Sequence, residues 1–415
     1  MRQKILGIVT AVTTFISAGT AFAGPEAEVL HWWTSGGEAR SAAALVAEFE
    51  ANGGTWQDMP VAGGGGDAAM QALRARVLSG NAPTAAQIKG PSIQEWYSQG
   101  VLADLDDVAK AEGWDTLLPA SIANHMKCGG KYCAAPVNVH RVDWIWANAD
   151  VLARAGIDMP TTWAEFNSAA KTLLGMGIIP LAHGGQAWQD ATVFETVALG
   201  IGGPEFFHKA FVELDMSVLG SDTMEAVFDQ MRIMRGFVDP NFSGRDWNLA
   251  TAMVINGEAA FQIMGDWAKG EFTAAGKSPG KDFLCASTPG AGYLYNVDSF
   301  AMFAVKGADK IAGQKLLAKL VVGESFQTVF NLNKGSIPAR IGTPLDKFDY
   351  CARQSAYDME VASGNDSLLP SYAHGMALRG AQAGAITDVV TNHFNSDMKS
   401  SDAVKALVAA IKDSL

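Results

Sequence analysis

Two adjacent tryptophans, Trp32 and Trp33, stand in the stretch VLHWWTSGGE, followed by a glycine pair and the acid Glu38. Successive side chains on a β-strand point to opposite faces, so a regular strand cannot send both indoles into one core. Two core tryptophans with internally satisfied N–H groups are one reading. The other is a binding site for a sugar, whose apolar C–H faces lie against aromatic rings while its hydroxyls meet polar groups. Glu38 beside the indoles favours the second.

The same residue types recur along the chain. Lys89 closes QIKG, Trp267 follows IMGD, Asn296 and Asp298 share YNVDSF, Lys334 stands in NLNKG and His374 in PSYAHGM. An asparagine donates and accepts while an ionised aspartate only accepts, so together they match vicinal hydroxyls, each of which does both. A surface lysine, helix caps and a satisfied structural histidine are the plainer alternatives. Arg141 in VHRVDW and His183, Gln186 and Trp188 in LAHGGQAWQD form a second tier of cleft candidates. Gly63–Gly66 resembles a phosphate loop, but Asp67-Ala68 replaces the Lys-Ser/Thr that should follow, so it reads as a loop with unusual backbone angles or close approach to a ligand.

Catalytic signatures of the Gly-x-Ser-x-Gly and His-Glu-x-x-His kinds do not occur, nor does an aspartate-rich calcium loop. A glycosidase needs only two carboxylates at the right separation, so a secreted carbohydrate-active enzyme is one rival class. A binder of a polyol or glycerol phosphoester is the other, though a phosphoester calls for cations where Glu38 and Asp298 stand.

The elements that must position these residues alternate. EVLHWW predicts a strand, and EARSAAALVAEFEANGG a helix ended by glycines. GGGGDAAMQALRARVLSG predicts a loop and then a helix, with Asp67 as N-cap and Gly80 as stop. TAAQIKG follows as a short strand and SIQEWYSQGVLADL as a helix with a loop. Such βα repetition argues for α/β lobes built on open sheets, which bind ligands at the carboxyl edge of their strands. From Lys131, KYCAAPVNVHRVDWIWANADVL gives two strand-like runs joined by a stretch able to cross between lobes. Thr162 and Glu165 predict a capping box, IIPLAHGG a buried strand, and SDTMEAVFDQMRIMRGF a helix capped near Ser221 or Asp222. Crossovers are expected at 135–140, 293–298 and within 340–346.

Composition sets the compartment and excludes some partners. Arg2 and Lys4, the apolar run Ile5–Ile16 and the small-residue site Ala21-Phe22-Ala23 predict a signal peptide over residues 1–23, cleaved after Ala23. Gly24 follows rather than a cysteine, against a lipid anchor, and no later apolar run is long enough to span a membrane. The full chain of 415 residues carries a formal charge of −12, and loss of Arg2 and Lys4 makes it more negative by two. So acidic a chain is repelled by nucleic acid and anionic lipid. Its length suits two large lobes or three small ones. Cys128, Cys133, Cys285 and Cys351 permit three pairings, of which Cys128 with Cys133 and Cys285 with Cys351 is favoured. A Cys-x4-Cys pair lacks the close ligands that zinc requires, and no metal or other cofactor is expected.

Taken in order, VLHWWTSGGE, IKGPSIQEWYSQGVLADL, APVNVHRVDWIWAN, NGEAAFQIMGDWAKGEF, YNVDSFAMFAV and NKGSIPAR resemble the periplasmic solute-binding proteins of ABC sugar transporters. The likeness spans the mature chain and lies with the maltose-binding-like class, nearest its glucose- and mannose-binding branch. It implies an α/β fold of two lobes, each an open sheet flanked by helices, with a sugar cleft between them. The expected lobes are 24–137 with 296–342, and 138–295 with 343–415. It implies a periplasmic monomer that binds a monosaccharide and hands it to membrane permease subunits. The family pattern matches Trp32, Trp33, Glu38, Lys89, Trp267, Asn296, Asp298, Lys334 and His374, with Arg141 a hinge-side candidate.

Overall fold

The computed structural model describes residues 24–415, so the signal peptide expected over residues 1–23 lies outside the described residues. In the amino-terminal part the strands are β1 (Glu26–His31), β2 (Thr55–Pro60), β3 (Ala85–Ile88), β4 (Lys127–Cys128), β5 (Lys131–Tyr132) and β6 (Ala134–Pro136). Next come β7 (His140–Arg141), β8 (Trp144–Asn148), β9 (Ile179–Leu181), β10 (Ala259–Ile263) and β11 (Phe283–Ser287). Last are β12 (Tyr293–Asn296), β13 (Ser299–Met302) and β14 (Leu368–Pro370).

The first sheet has the order β2-β1-β3-β13-β6, with β1 parallel to β2 and β3, and β13 antiparallel to β3 and β6. The helix Gly36–Ala51 buries Ser41, Ala42, Leu45 and Phe49 at helical spacing. The second sheet runs β11-β8-β10-β9, and every residue of WIWAN in β8 and AAFQI in β10 is buried, as strands covered on both faces must be. The helix Ala187–Phe211 packs in this half and kinks at Gly203-Pro204, where proline removes a ladder donor.

Each sheet has its own apolar core. Trp33, Phe49, Trp114, Phe300 and Phe330 belong to one, and Trp144, Trp146, Phe166, Phe194 and Phe261 to the other. The chain leaves the first core after Val139, joins the second at Val142, and passes back near β12. Between the two lobes lies a third small sheet, β14-β12-β7. The helix Tyr350–Gly364 sits at the seam, with Cys351 in the second core and Ala352 and Ala362 in the first. No helix among the described residues is long and apolar enough to cross a membrane.

Two disulfides join Cys128 to Cys133, across the β4–β5 hairpin, and Cys285 to Cys351, tying β11 to the helix at the seam. Thr162 and Glu165 form the capping box, and Ser221 rather than Asp222 caps its helix. Three local readings change. Asp67 is the first helical residue rather than the N-cap, because Gly66 takes that position with φ +95°. The first strand stops at His31, so both indoles lie beyond it. The stretch from Lys131 forms four short strands rather than two runs, since β7 contributes only two residues where the chain changes lobes.

Candidate functional site

A cavity of about 210 Å³ lies between the lobes, and five tryptophans border it: Trp32, Trp33, Trp188, Trp247 and Trp267. Glu38, Lys89, Asn296, Asp298, Lys334 and His374 line the same space.

Leaving the strand resolves the competition between the two indoles. Trp33, 2% exposed, turns into the first core against Phe300 and Phe330 at ring distances of 5.5 and 5.0 Å. Trp32 turns to the cleft, with Lys89 Nζ 5.2 Å from its ring centre. Its backbone N–H donates to Gln87 Oε1 at 3.2 Å, and Gln87 Nε2 donates to Asp298 Oδ1 at 3.0 Å, so one amide fixes both. The glycine loop answers a steric demand. A Cβ at Gly66 would stand 3.1 Å from three ring atoms of Trp32, and one at Gly64 would stand 2.8 Å from Trp188.

Glu38, in the first turn of its helix, accepts from Lys334 Nζ at 2.8 Å and from Ser35 Oγ at 3.1 Å. Asp298 sits between β12 and β13. Burial alone would raise its pKa, but the bond and charge of His140, with Lys334 and Lys89, hold it well below the usual carboxylate range. Burial likewise lowers the Lys89 ammonium. Lys89 Nζ makes no hydrogen bond or ion pair among the described residues, and Asn296 Oδ1 is buried without a partner.

His374 is held by Thr192. The Thr192 hydroxyl donates to Trp188 O at 2.8 Å, so its oxygen accepts from His374 Nε2 at 2.9 Å. Burial, together with the Lys89 and His140 charges, pushes His374 well below its ordinary pKa. The ring is therefore neutral with its proton on Nε2, leaving Nδ1 as an acceptor. Trp267 and Trp188 pack against this ring at 4.9 and 5.9 Å.

Three second-tier residues stand elsewhere. Arg141 neighbours His140 on β7 and points the other way, to Asp143 at 3.0 Å and Asp358 at 2.6 Å, flanked by Trp144 and Tyr293. His183 is buried in the second lobe on Asp190 at 2.8 Å. Gln186 lies behind the wall, accepting from Trp188 Nε1 at 2.9 Å and donating to Asp246 at 2.5 Å. Trp188 itself borders the cavity. Sequence reasoning missed His140, Gln87, Asp246, Trp247 and Asn248. The last three lie at the start of the helix Trp247–Ile255, and the turn before that helix was the one signal for them.

Residues 33–324 match the model of the bacterial extracellular solute-binding protein family. The chain belongs to this family. A probable sugar-binding periplasmic protein of Brucella suis biovar 1 is 51% identical over 387 residues, covering 93% of this chain and 91% of that one. A protein of the same description from Rhizobium meliloti is 48% identical, covering 97% of this chain and 98% of its own length. Among solved structures, the bacterial solute receptor AcbH superposes with a TM-score of 0.80 at 16% identity, covering 94% of this chain and 99% of that one. That match shows the two-lobed fold. A member of this family binds a solute and is not an enzyme.

Proposed function

We propose that this solute-binding protein is the periplasmic component of an ABC sugar importer and takes a monosaccharide into the interlobe cavity. D-glucose is the first candidate, with mannose or a related aldose next. The observation that carries the reading is a pair of polar groups in the wall: Asn296 Oδ1 is buried without a partner among the described residues, and Lys89, half-buried at the cavity, forms no hydrogen bond or ion pair with any of them. A hydroxyl-bearing ring supplies a partner to both, since each hydroxyl donates and accepts. The cavity supports a single ring, being smaller than the roughly 300 Å³ at which drug-sized ligand pockets begin. A further hollow of about 410 Å³ adjoins it and shares Trp32, Gly65, Lys89, Trp188 and His374 as lining.

In this reading Trp32 and Trp267 cover the sugar faces, while Lys89, Asn296, Asp298 and His374 meet hydroxyls. Glu38 and Lys334, already paired, present the lone pairs and protons their ion pair leaves over. Covering about 50 Å² of C–H surface contributes roughly 1 kcal/mol at ~25 cal/mol per Å². Hydrogen bonds to charged groups contribute about 1.5–3 kcal/mol each, so the charges choose among epimers. A phosphoester is disfavoured because Glu38 and Asp298 repel it. Closure of the lobes around the sugar would present both to the membrane permease together. Relatives named as sugar-binding periplasmic proteins support this assignment.

Native mass spectrometry of the protein as purified tests the class. A retained hexose, exchangeable for added glucose at one site, is expected. No retained mass, and no uptake from a panel of hexoses, pentoses and disaccharides, would contradict it.

A further inference from the structure

We propose that His140 is a positioning residue that holds Asp298 toward the sugar as a doubly hydrogen-bonded imidazolium bridging the two lobes. The proposal rests on the sugar reading above, but its chemistry is visible in the protein alone.

His140 lies on β7, where the chain passes from one core to the other, and it borders the cavity. Its Nδ1 bonds to Asp266, which stands in the turn between β10 and the helix Trp267–Ala274 of the second lobe. Its Nε2 stands 3.0 Å from Asp298 Oδ2, at the edge of the first sheet. Each lobe thus sends one carboxylate to one nitrogen of a ring that is 1% exposed. Asp266 also accepts the Arg141 backbone N–H at 3.0 Å, which fixes the strand that carries the ring.

Charge balance assigns the protonation state. Glu38 and Lys334 cancel, and Asp246, the exposed carboxylate of the wall, is left to solvent, so the charges close to the ring are Lys89 against the buried Asp266 and Asp298. A neutral His140 would leave the buried site one charge negative; an imidazolium brings it to zero, which suits a neutral ligand. It also supplies an N–H to each carboxylate. Burial alone would push the ring's pKa down, and the two carboxylates outweigh that and raise it. The other groups facing it are the edge of Trp267 and Asn138 Nδ2, a donor 3.0 Å from Nε2 that opposes the proton there and finds its own acceptor in Ser336 Oγ at 3.1 Å, while Asn138 Oδ1 accepts from the Asp298 N–H. Lys89 and Lys334 lie beyond Asp298, and neutral His374 beyond Trp267.

With Gln87 on Oδ1 and His140 on Oδ2, Asp298 is held in one orientation and keeps lone pairs for the sugar. Moving the lobes apart takes Asp266 away from Asp298, so the ring keeps its proton best when the cleft is closed.

The test combines NMR titration of the imidazoles with glucose calorimetry in buffers of low and high ionisation enthalpy. The His140 signal is assigned by its absence from His140→Gln. In the wild type it should stay protonated well above the ordinary histidine value of about 6.5. Glucose affinity should weaken as pH rises through the ring's raised pKa, with heats that depend on buffer. His140→Gln should bind at least about tenfold more weakly, with neither dependence. A ring titrating at or below the ordinary value, or wild type and variant sharing one pH profile, would overturn the proposal. Failure of every sugar to bind the wild type would contradict the sugar reading instead and leave the NMR titration to decide His140.

Discussion

At the scale of single residues, the two adjacent indoles have separate tasks. Trp33 is a core residue, with Phe300 and Phe330 against it and its Nε1 buried without a partner. Trp33→Ala should cost about 3–5 kcal/mol of stability, the usual range for removing a buried tryptophan. Trp32→Ala, at the cleft edge of the same core, should cost less stability than Trp33→Ala and weaken sugar binding by about tenfold. Thermal unfolding and calorimetry on the two variants separate these effects, and equal losses of stability would contradict the division. Asp298→Ala should weaken binding by at least ~2 kcal/mol, about thirtyfold, because it removes a charged acceptor and leaves His140 facing one carboxylate.

At the scale of elements, the two disulfides differ in the chain they close. Cys128 and Cys133 are 5 residues apart and Cys285 and Cys351 are 66 apart. Loop-closure entropy gives roughly 2 kcal/mol for the short loop and about 4 for the long one. Cys285→Ser/Cys351→Ser should therefore lower the denaturation midpoint more than Cys128→Ser/Cys133→Ser, as urea titrations would show. Much of the element pattern was legible in the sequence because it rests on local periodicity and caps, as in Thr162–Glu165 and the helix Gly36–Ala51. The site residues named first gather at one cavity because they stand at strand ends, turns and helix termini, the positions an open α/β fold offers to ligands. His140 and Gln87 were not legible. Their partners lie 126 and 211 residues away in Asp266 and Asp298, and neither belongs to a local pattern. Arg141 and His183 read as cleft residues by position, yet strand alternation and an internal carboxylate turn them away.

At the scale of the whole molecule, stability should carry a signature of Glu195. This carboxyl lies on the helix Ala187–Phe211 beneath the turn that bears His374, bonded to Ser371 Oγ at 2.6 Å and the Ala373 N–H at 3.2 Å. Burial pushes its pKa up to about 8, the Ser371 and backbone bonds offsetting only part of that and Asp143 adding to it. The folded state then keeps a proton that the unfolded state releases near pH 4.3. Below that value both states are protonated and the contribution is complete. As pH climbs toward 8 it is lost, at up to about 1.4 kcal/mol per pH unit. Glu195→Gln mimics the protonated form, so its stability relative to wild type should grow between pH 5 and pH 8 in parallel melts; a constant difference would contradict the assignment.

The proposed function places one sugar ring in one cavity built by both lobes. Calorimetric titration of the mature chain with D-glucose tests it most directly, with Asp298→Ala alongside. One site per chain is expected, with a Kd between micromolar and nanomolar, about −8 to −12 kcal/mol, weakened at least thirtyfold in the variant. Absence of binding by glucose and related aldoses, or binding that Asp298→Ala leaves unchanged, would contradict it.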